Sequence, residues 1–364
     1  MKVALVHEFL TQLGGAERVL QTFHELFPDA PVYTLVYDKT PTQGFFDNWD
    51  IRTSFLQNLP LAVRKYKWFL PLMPRAAEKF DFSGYDLVLS DSSAFAKGII
   101  TKPPTVHVCY CHTPTRYVWQ DRDEYIDSLP YPKYIKHYIK YYAIHYMQGW
   151  DYKAAQRPNH IIANSRTVQG RIKKYYDRDS QVIYPPVDTA FFRPTGEKGD
   201  YFLTASRLEP YKKIDLVIDA FNRLNLPLKV AGDGAEIEKL RGASRPNVEF
   251  LGRVSDEELR NLYSGAKAFI FPALEDAGIM PLEALACGTP VIGLNKGGVA
   301  EFIKDGEHGV LFADQTIDGI FSAEKKLAMT NFDPEKLRAR TLEFDKEIFK
   351  EKIRAFINIR IPQR

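Results

Sequence analysis

Cysteine is scarce in this chain, with three in 364 residues. A small odd number argues against a disulfide framework and points to a reducing compartment. Long apolar runs are missing too. No stretch approaches the roughly 20 residues needed to span a bilayer. Excess charge is missing as well: the net charge of +3 is too weak a bias to imply nucleic acid as a partner. The opening MKVALVHEFL resembles a short secretory core, but His7 and Glu8 interrupt it and no small-residue cleavage site follows. It reads as a buried first strand. Short repeats and low-complexity segments are also absent. What is present is the balance of a globular protein, 45% hydrophobic and 26% charged, long enough for two domains.

Apolar, β-branched runs alternate with amphipathic helical patterns. The first half offers strands at 2–6, 32–36, 86–90, 105–111 and 160–164. The second offers 201–206, 228–232, 247–252, 268–272, 290–294 and 309–312, with helices such as 212–223 and 255–265 between. This alternation is that of an α/β protein with parallel sheets covered on both faces. Two such series predict two Rossmann-like domains. The break falls in YPPVDTAFFRPTGEKGD, where Pro185 and Pro186 cannot join a central strand. The expected domains are 1–186 and 187–343.

The segment FPALEDAGIMPLEALACGTPVIG carries the sharpest chemistry. A buried strand is followed by Glu275, a loop with Gly278, and a helix holding Glu283. In open parallel sheets, ligands bind outside the carboxyl ends of strands. The helix starting near Ile279 and Met280 offers unpaired backbone N–H groups and a positive dipole end to a phosphate. Glutamates there accept hydrogen bonds from sugar hydroxyls, or Glu283 is merely favourable to the dipole. In TASRLEPYKKIDLVIDAF, Arg207 and Lys212 follow another strand end and can clamp a diphosphate. Lys213 reads as solvated surface charge. Gly232 in VAGDGAE makes a tight turn, either facing a nucleotide or serving only the fold. Ser255 and Glu258 form a capping box before a helix.

The pieces SRLEPYKK, AGDG, FLGRVSDEEL and EDAGIMPLEALACGTPVI, in this order and spacing, resemble glycosyltransferase family four. The resemblance implies retaining enzymes of the GT-B fold: two Rossmann-like domains, parallel sheets and an interdomain cleft, with a terminal helix (about 344–364) crossing back to the first domain. It implies that Glu283 holds the donor ribose, that Arg207 and Lys212 hold the diphosphate, and that Glu275 contacts the donor sugar. The backbone at Asp276, Ala277, Gly278, Ile279 and Met280 meets sugar or phosphate, and Arg253 and Val254 lie beside the base. Ser206, Lys213 and Ala277 depart from the family's frequent glycine, glycine and aromatic.

Gly14 and Gly15 follow the first strand without forming a dinucleotide fingerprint. The resemblance places them near donor phosphate and acceptor. Glu17 is an acceptor contact or a first-turn helix charge. In TVHVCYCHTP, strand periodicity sends His107, Cys109 and Cys111 to one face and His112 to the other. Extended geometry keeps the cysteines too far apart to share zinc, so no metal site is expected and they read as small buried hydrophobes. YCHTPTRYVW resembles the subgroup that adds mannose or related sugars to bacterial surface polysaccharides, which implies a donor-sugar role for His112. Arg116 binds acceptor phosphate or pairs structurally.

The resemblance therefore implies transfer of a hexose, mannose from GDP-mannose, to a glycan or polyprenyl-linked acceptor. The nucleotide sugar is a substrate, and no cofactor is expected. No Asp-x-Asp pair stands at an expected strand end, so no divalent metal is expected either. The alternatives are a UDP-sugar donor, a nucleotide-sugar epimerase, or a non-catalytic sugar-binding protein on the same fold. Two basic aromatic stretches, 63–75 and 133–150, read either as core helices with snorkelling lysines or as a surface for anionic membrane. The expected location is cytoplasmic, peripheral on the inner face of the plasma membrane.

Overall fold

The computed structural model describes residues 1–128 and 131–361. Its first unit comprises Met1–Tyr184 and the chain from Lys350 onward. Here β1 (Val3–Leu10), β2 (Val32–Tyr37), β3 (Ile51–Thr53), β4 (Leu87–Ser92), β5 (Val106–Cys111), β6 (His160–Ala163) and β7 (Gln181–Val182) form a sheet of order β3-β2-β1-β4-β5-β6-β7. The second unit is Pro185–Phe349. Its strands are β8 (Phe202–Ala205), β9 (Leu228–Ala231), β10 (Val248–Gly252), β11 (Phe269–Phe271), β12 (Val291–Leu294) and β13 (Gly309–Phe312), in the order β10-β9-β8-β11-β12-β13. Every strand pair among the described residues is parallel. Each unit is thus Rossmann-like.

Central strands are short apolar runs buried on both faces, as parallel pairing under helices requires. Strand β1 extends past the expected end at Val6 to Leu10, because His7 and Glu8 are buried with polar partners. The two unexpected strands, β3 and β7, are edge strands of three and two residues. They are too short to show a pattern. Helix α1 (Gly15–Leu26) follows β1, and α2 (Ile144–Ala155) precedes β6. In the second unit, α3 (Ile214–Leu224) follows β8 and α4 (Asp256–Gly265) follows β10. Ser255 and Glu258 complete the capping box at α4.

The unit boundaries differ slightly from the expected ones. The first unit ends at Tyr184, and the second keeps residues up to Phe349, inside α6 (Lys346–Arg360). The cause is local pairing. Val187 forms a bridge with Asp345, its N–H donates to the Phe344 carbonyl, and its own carbonyl accepts from the Lys346 N–H. Lys346 also pairs with Asp188 at 3.0 Å. The last three residues of the expected terminal helix, 362–364, lie outside the described residues.

The segment after β5 is held by a buried ion pair. Lys97 and Asp151 are each 2% exposed, with Nζ and Oδ1 2.6 Å apart. Asp151 also accepts from Thr115 Oγ1, Trp119 Nε1 and Tyr176 Oη, each at 2.7 Å. These bonds tie the HTPTRYVW segment to α2.

Replacing one member of a buried pair strands the other charge and costs about 3–5 kcal/mol. Lys97→Met is expected to lose that much stability in urea unfolding followed by tryptophan fluorescence. A loss below about 1 kcal/mol contradicts the assignment.

Lys213 stands between a 3-10 turn (Pro210–Lys212) and α3 with φ of 56°. A side chain there costs about 1–2 kcal/mol, of which glycine's greater unfolded-state freedom takes back part. Lys213→Gly is expected to stabilise by about 1 kcal/mol, a rise of about 2–4 °C in Tm for a unit of this size. A fall in Tm contradicts the reading.

Candidate functional site

Both sheets reverse their strand order at one place, between β1 and β4 in the first unit and between β8 and β11 in the second. Ligands in open parallel sheets bind outside the carboxyl ends of strands at such a reversal. Most of the residues singled out in the sequence follow these strands.

In the second unit, Arg207 and Lys212 follow β8, and Glu275 follows β11. Lys212 Nζ pairs directly with Glu275 Oε1, their side chains only 13% and 21% exposed. The sequence read them as separate contacts, and the fold joins them. Arg207 is exposed and donates to the Tyr211 hydroxyl at 2.8 Å. The Tyr211 ring lies 5.2 Å from Lys212 Nζ.

Glycines let the strand-end loops close on one another. Gly232 has φ of 127°, and a Cβ there would stand 1.8 Å from the Ser206 carbonyl oxygen. Its N–H donates to the Gly252 carbonyl at 2.7 Å. The loops after β8, β9 and β10 are therefore joined through backbone alone. Gly278, at φ of 73°, caps α5 (Ile279–Ala286). Asp276, Gly278, Ile279 and Met280 are half-buried and Ala277 is buried.

Sequence reasoning missed Gly297 and Gly298. A Cβ on either would lie 2.4 Å from Glu275 O or Ala277 Cα, and the Gly298 N–H donates to the Glu275 carbonyl at 2.9 Å. The Lys-Gly-Gly run after β12 was the available signal.

Glu283 is 2% exposed and accepts from the Tyr263 hydroxyl of α4 at 3.2 Å. It sits past the first turn of α5 and is buried, so it is more than a dipole charge. Arg253 is exposed and Val254 half-buried, both just after β10. A surface depression lined by Tyr201, Leu251, Val254, Glu258, Asn261 and Leu262 shares only Val254 with this set. It contains neither of the two expected phosphate-binding cations.

In the first unit, Gly14 is the extended N-cap of α1 and Gly15 opens the helix. Glu17 is 4% exposed, not a solvated first-turn charge. Its Oε1 lies 3.6 Å from His7 Nε2, and its buried Oε2 has no hydrogen-bond partner. A Cβ on Gly14 would lie 3.1 Å from that oxygen. His112 follows directly after β5 and is joined through Nε2 to Asp91 Oδ1. Asp91 and His7 were not singled out in the sequence. The signal was polar residues at the ends of apolar strands. Arg116 Nε lies 3.7 Å from Asp121 Oδ2 in its own segment.

The cysteines separate from His112 by strand parity. Cys109 and Cys111 pack with Ala155, Ile161, Val168 and Tyr176. Burial pushes the Cys109 thiol up to about 12 and Cys111 well above its ordinary value. His107, on the same face, meets Ser90 Oγ at 2.8 Å. Burial, with Arg157 and Arg178 nearby, lowers it to about 3, so it stays neutral. Among the described residues no three His, Cys, Asp or Glu side chains are grouped to hold a metal ion.

Residues 13–191 match the family model "Glycosyltransferase Family 4", and residues 188–340 match "Glycosyl transferases group 1". An uncharacterized glycosyltransferase of Methanocaldococcus jannaschii is 27% identical over 203 residues, 54% of this chain and 56% of that one. The O-antigen chain mannosyltransferase of Salmonella typhimurium is 33% identical over 156 residues, 38% of this chain and 43% of the relative. The chain thus spans about half the length of the curated relatives it matches. The Anabaena protein HepE, solved in complex with UDP, superposes with a TM-score of 0.71 over 99% of this chain and 100% of that one. At 18% identity that likeness speaks for the fold alone. Residues 13–340 thus match two glycosyltransferase models in succession, and the two Rossmann-like units share the fold of the Anabaena structure, that of the GT-B glycosyltransferases.

Proposed function

We propose that this protein is a retaining glycosyltransferase that moves a hexose from a nucleoside diphosphate to a hydroxyl of a glycan or lipid-linked acceptor. The Lys212–Glu275 pair at the β8/β11 reversal carries the reading. A cation and a carboxylate held together there suit a ligand with phosphate at one end and hydroxyls at the other. Binding exchanges one partner for two: phosphate takes Lys212, and sugar hydroxyls take Glu275. Arg207 adds paired donors, and the first-turn amides of α5 add unpaired N–H groups. Glu283, already hydrogen-bonded to Tyr263, suits the ribose hydroxyls.

In the reaction, the bond from the anomeric carbon to the diphosphate breaks and one to the acceptor oxygen forms on the same face. The acceptor proton goes to the departing phosphate, giving glycoside and nucleoside diphosphate. Charge grows on the diphosphate, and stabilising it is the dominant catalytic contribution. Arg207, Lys212 and the helix terminus supply that positive charge, so no divalent metal is required. Glu17 offers a buried, unpartnered oxygen to an acceptor hydroxyl. Mannose is the preferred sugar, supported by the likeness to the Salmonella mannosyltransferase, and GDP is the preferred carrier through the resemblance of YCHTPTRYVW alone. A UDP-sugar is the second reading, because the Anabaena structure holds UDP.

The acceptor reading includes an anionic membrane surface. Tyr134, Tyr138, Tyr141, Tyr142 and Tyr146 are 59–74% exposed, while Ile144 and Met147 of the same helical stretch are buried. An aromatic face turned to solvent beside exposed Lys133 and half-buried Lys136 and Lys140, the last paired with Asp123 at 3.0 Å, is the composition of an interfacial surface. Trp68, 66% exposed with Lys65 Nζ 4.1 Å from its ring, belongs to the second such stretch. Among the described residues no helix is long and apolar enough to cross a membrane.

Incubation with GDP- and UDP-sugars and a lipid-linked acceptor, read by mass spectrometry, is expected to give a new glycoside. Glu275→Gln should lower its rate at least tenfold. Formation of an isomerised nucleotide sugar instead, or no product with any donor, overturns the proposal. Co-sedimentation with phosphatidylglycerol vesicles at low salt is expected, with loss of binding when Lys133, Lys136 and Lys140 become Glu. Equal binding by that variant, or none by the parent, removes the membrane reading.

A further inference from the structure

Four ionisable side chains of the first unit stand in a row, and the proposed function uses only Glu17, at one end. Strand register places them. His7 of β1 is the pairing partner of Asp91 in β4, and Asp91 is that of Tyr110 in β5. Lateral partners in a parallel sheet share a face, as do residues two apart along a strand. His112, two residues past Tyr110, therefore joins this face, with its ring edge-on to Tyr110 at 5.4 Å. Asp91 is fully buried and gives one oxygen to each histidine. Its Oδ2 meets His7 Nδ1 at 2.8 Å and its Oδ1 meets His112 Nε2. On the far side of His7, Nε2 faces Glu17. The order is Glu17, His7, Asp91, His112.

A carboxylate without solvent needs positive partners. Asp91 has two, and the charges along the row alternate when both imidazoles carry two protons. Burial pulls His7 down, but its hydrogen bond to Asp91 and the nearby carboxylates of Asp91 and Glu17 outweigh this and raise it to about 10. Burial pushes Asp91 up, and the two histidines outweigh that and hold it low. Burial also pulls His112 down. The charge and hydrogen bond of Asp91 raise it, the His7 cation opposes, and Glu8 adds a smaller upward pull. Glu8 lies on the other sheet face, bound by Ser92 Oγ at 3.0 Å and the Ser93 N–H at 2.9 Å.

We propose that Asp91 is a positioning residue that ties His112 down through Nε2 and keeps it an imidazolium, with Nδ1–H for an oxygen of the donor. His7, backed by Glu17, fixes the Asp91 carboxylate from its other side. The assignment of the donor oxygen to His112 rests on the proposed function, whereas the four-residue row does not. A charged donor forms a stronger hydrogen bond than a neutral one, and most strongly to an oxygen that gains negative charge. His112 raised above its unfolded value contributes most below about pH 6.5, and that contribution fades as pH rises through its folded value.

The test is titration of the histidine rings by NMR in the 15N-labelled, ligand-free protein, with His112→Gln assigning the signal. In the wild type the His112 midpoint should lie above 6.5. Asp91→Asn should lower it by at least one pH unit, and His7→Gln, by removing a neighbouring cation, should raise it. Opposite shifts are not what general loosening of the fold produces. If Asp91→Asn does not fold, the upward shift in His7→Gln decides. A wild-type midpoint at or below 6.5, or no shift in His7→Gln, overturns the proposal. The alkaline fall of kcat for glycoside formation should move to lower pH in Asp91→Asn. Shifts as expected without glycoside formation would sink the proposed function and leave the row standing. Glycoside formation without the shifts would do the reverse.

Discussion

Parallel pairing places the carboxyl end of every strand along one edge of its sheet, and both sheets of this chain obey it. Backbone hydrogen bonding is spent within the sheets, and both faces are covered by helices. The strand-end loops are then the places where polar side chains can collect without penalty. The reversal of order between β1 and β4, and again between β8 and β11, opens a crevice in each unit where neighbouring loops diverge. The chemistry follows from this geometry. His7, Asp91 and His112 come together because they occupy adjacent strand ends on one face. Lys212 and Glu275 meet because their loops follow the two strands at the reversal.

Both clusters are already neutralised within the protein. Lys212 has Glu275, and Asp91 has two histidines. Preformed pairs avoid the large cost of isolated charge in a half-buried crevice. They also set a condition on the ligand. Only a molecule that offers both an anion and hydroxyl groups satisfies both members of the Lys212–Glu275 pair when it separates them. A simple anion would leave Glu275 without its partner. The pair therefore favours a sugar phosphate over phosphate alone.

Much of the fold was legible in the sequence, because buried parallel strands are short apolar runs with little ambiguity. The capping box at Ser255 and the helix after Gly278 were readable for the same local reason. The carboxyl end of β1 was not, since His7 and Glu8 resemble a break until their partners on β4 are known. The edge strands β3 and β7 carry too few residues to show a period. In the site, Arg207, Lys212, Glu275 and Glu283 stood out by charge at strand ends and by resemblance. Asp91, Tyr263 and the Gly297–Gly298 pair did not. Their roles come from contacts with residues 20 to 84 positions away, which no local pattern encodes. Lys213 is the reverse case, a departure from a frequent glycine whose cost became visible only as a left-handed φ of 56°.

The most direct measurement is isothermal titration calorimetry of GDP and of UDP into the whole protein and into Lys212→Ala. The account predicts saturable one-site binding of at least one of the two, weakened tenfold or more by the substitution, the loss of one charge-assisted contact. Failure of both nucleotides to bind at millimolar concentration, or equal affinity in the variant, would contradict it.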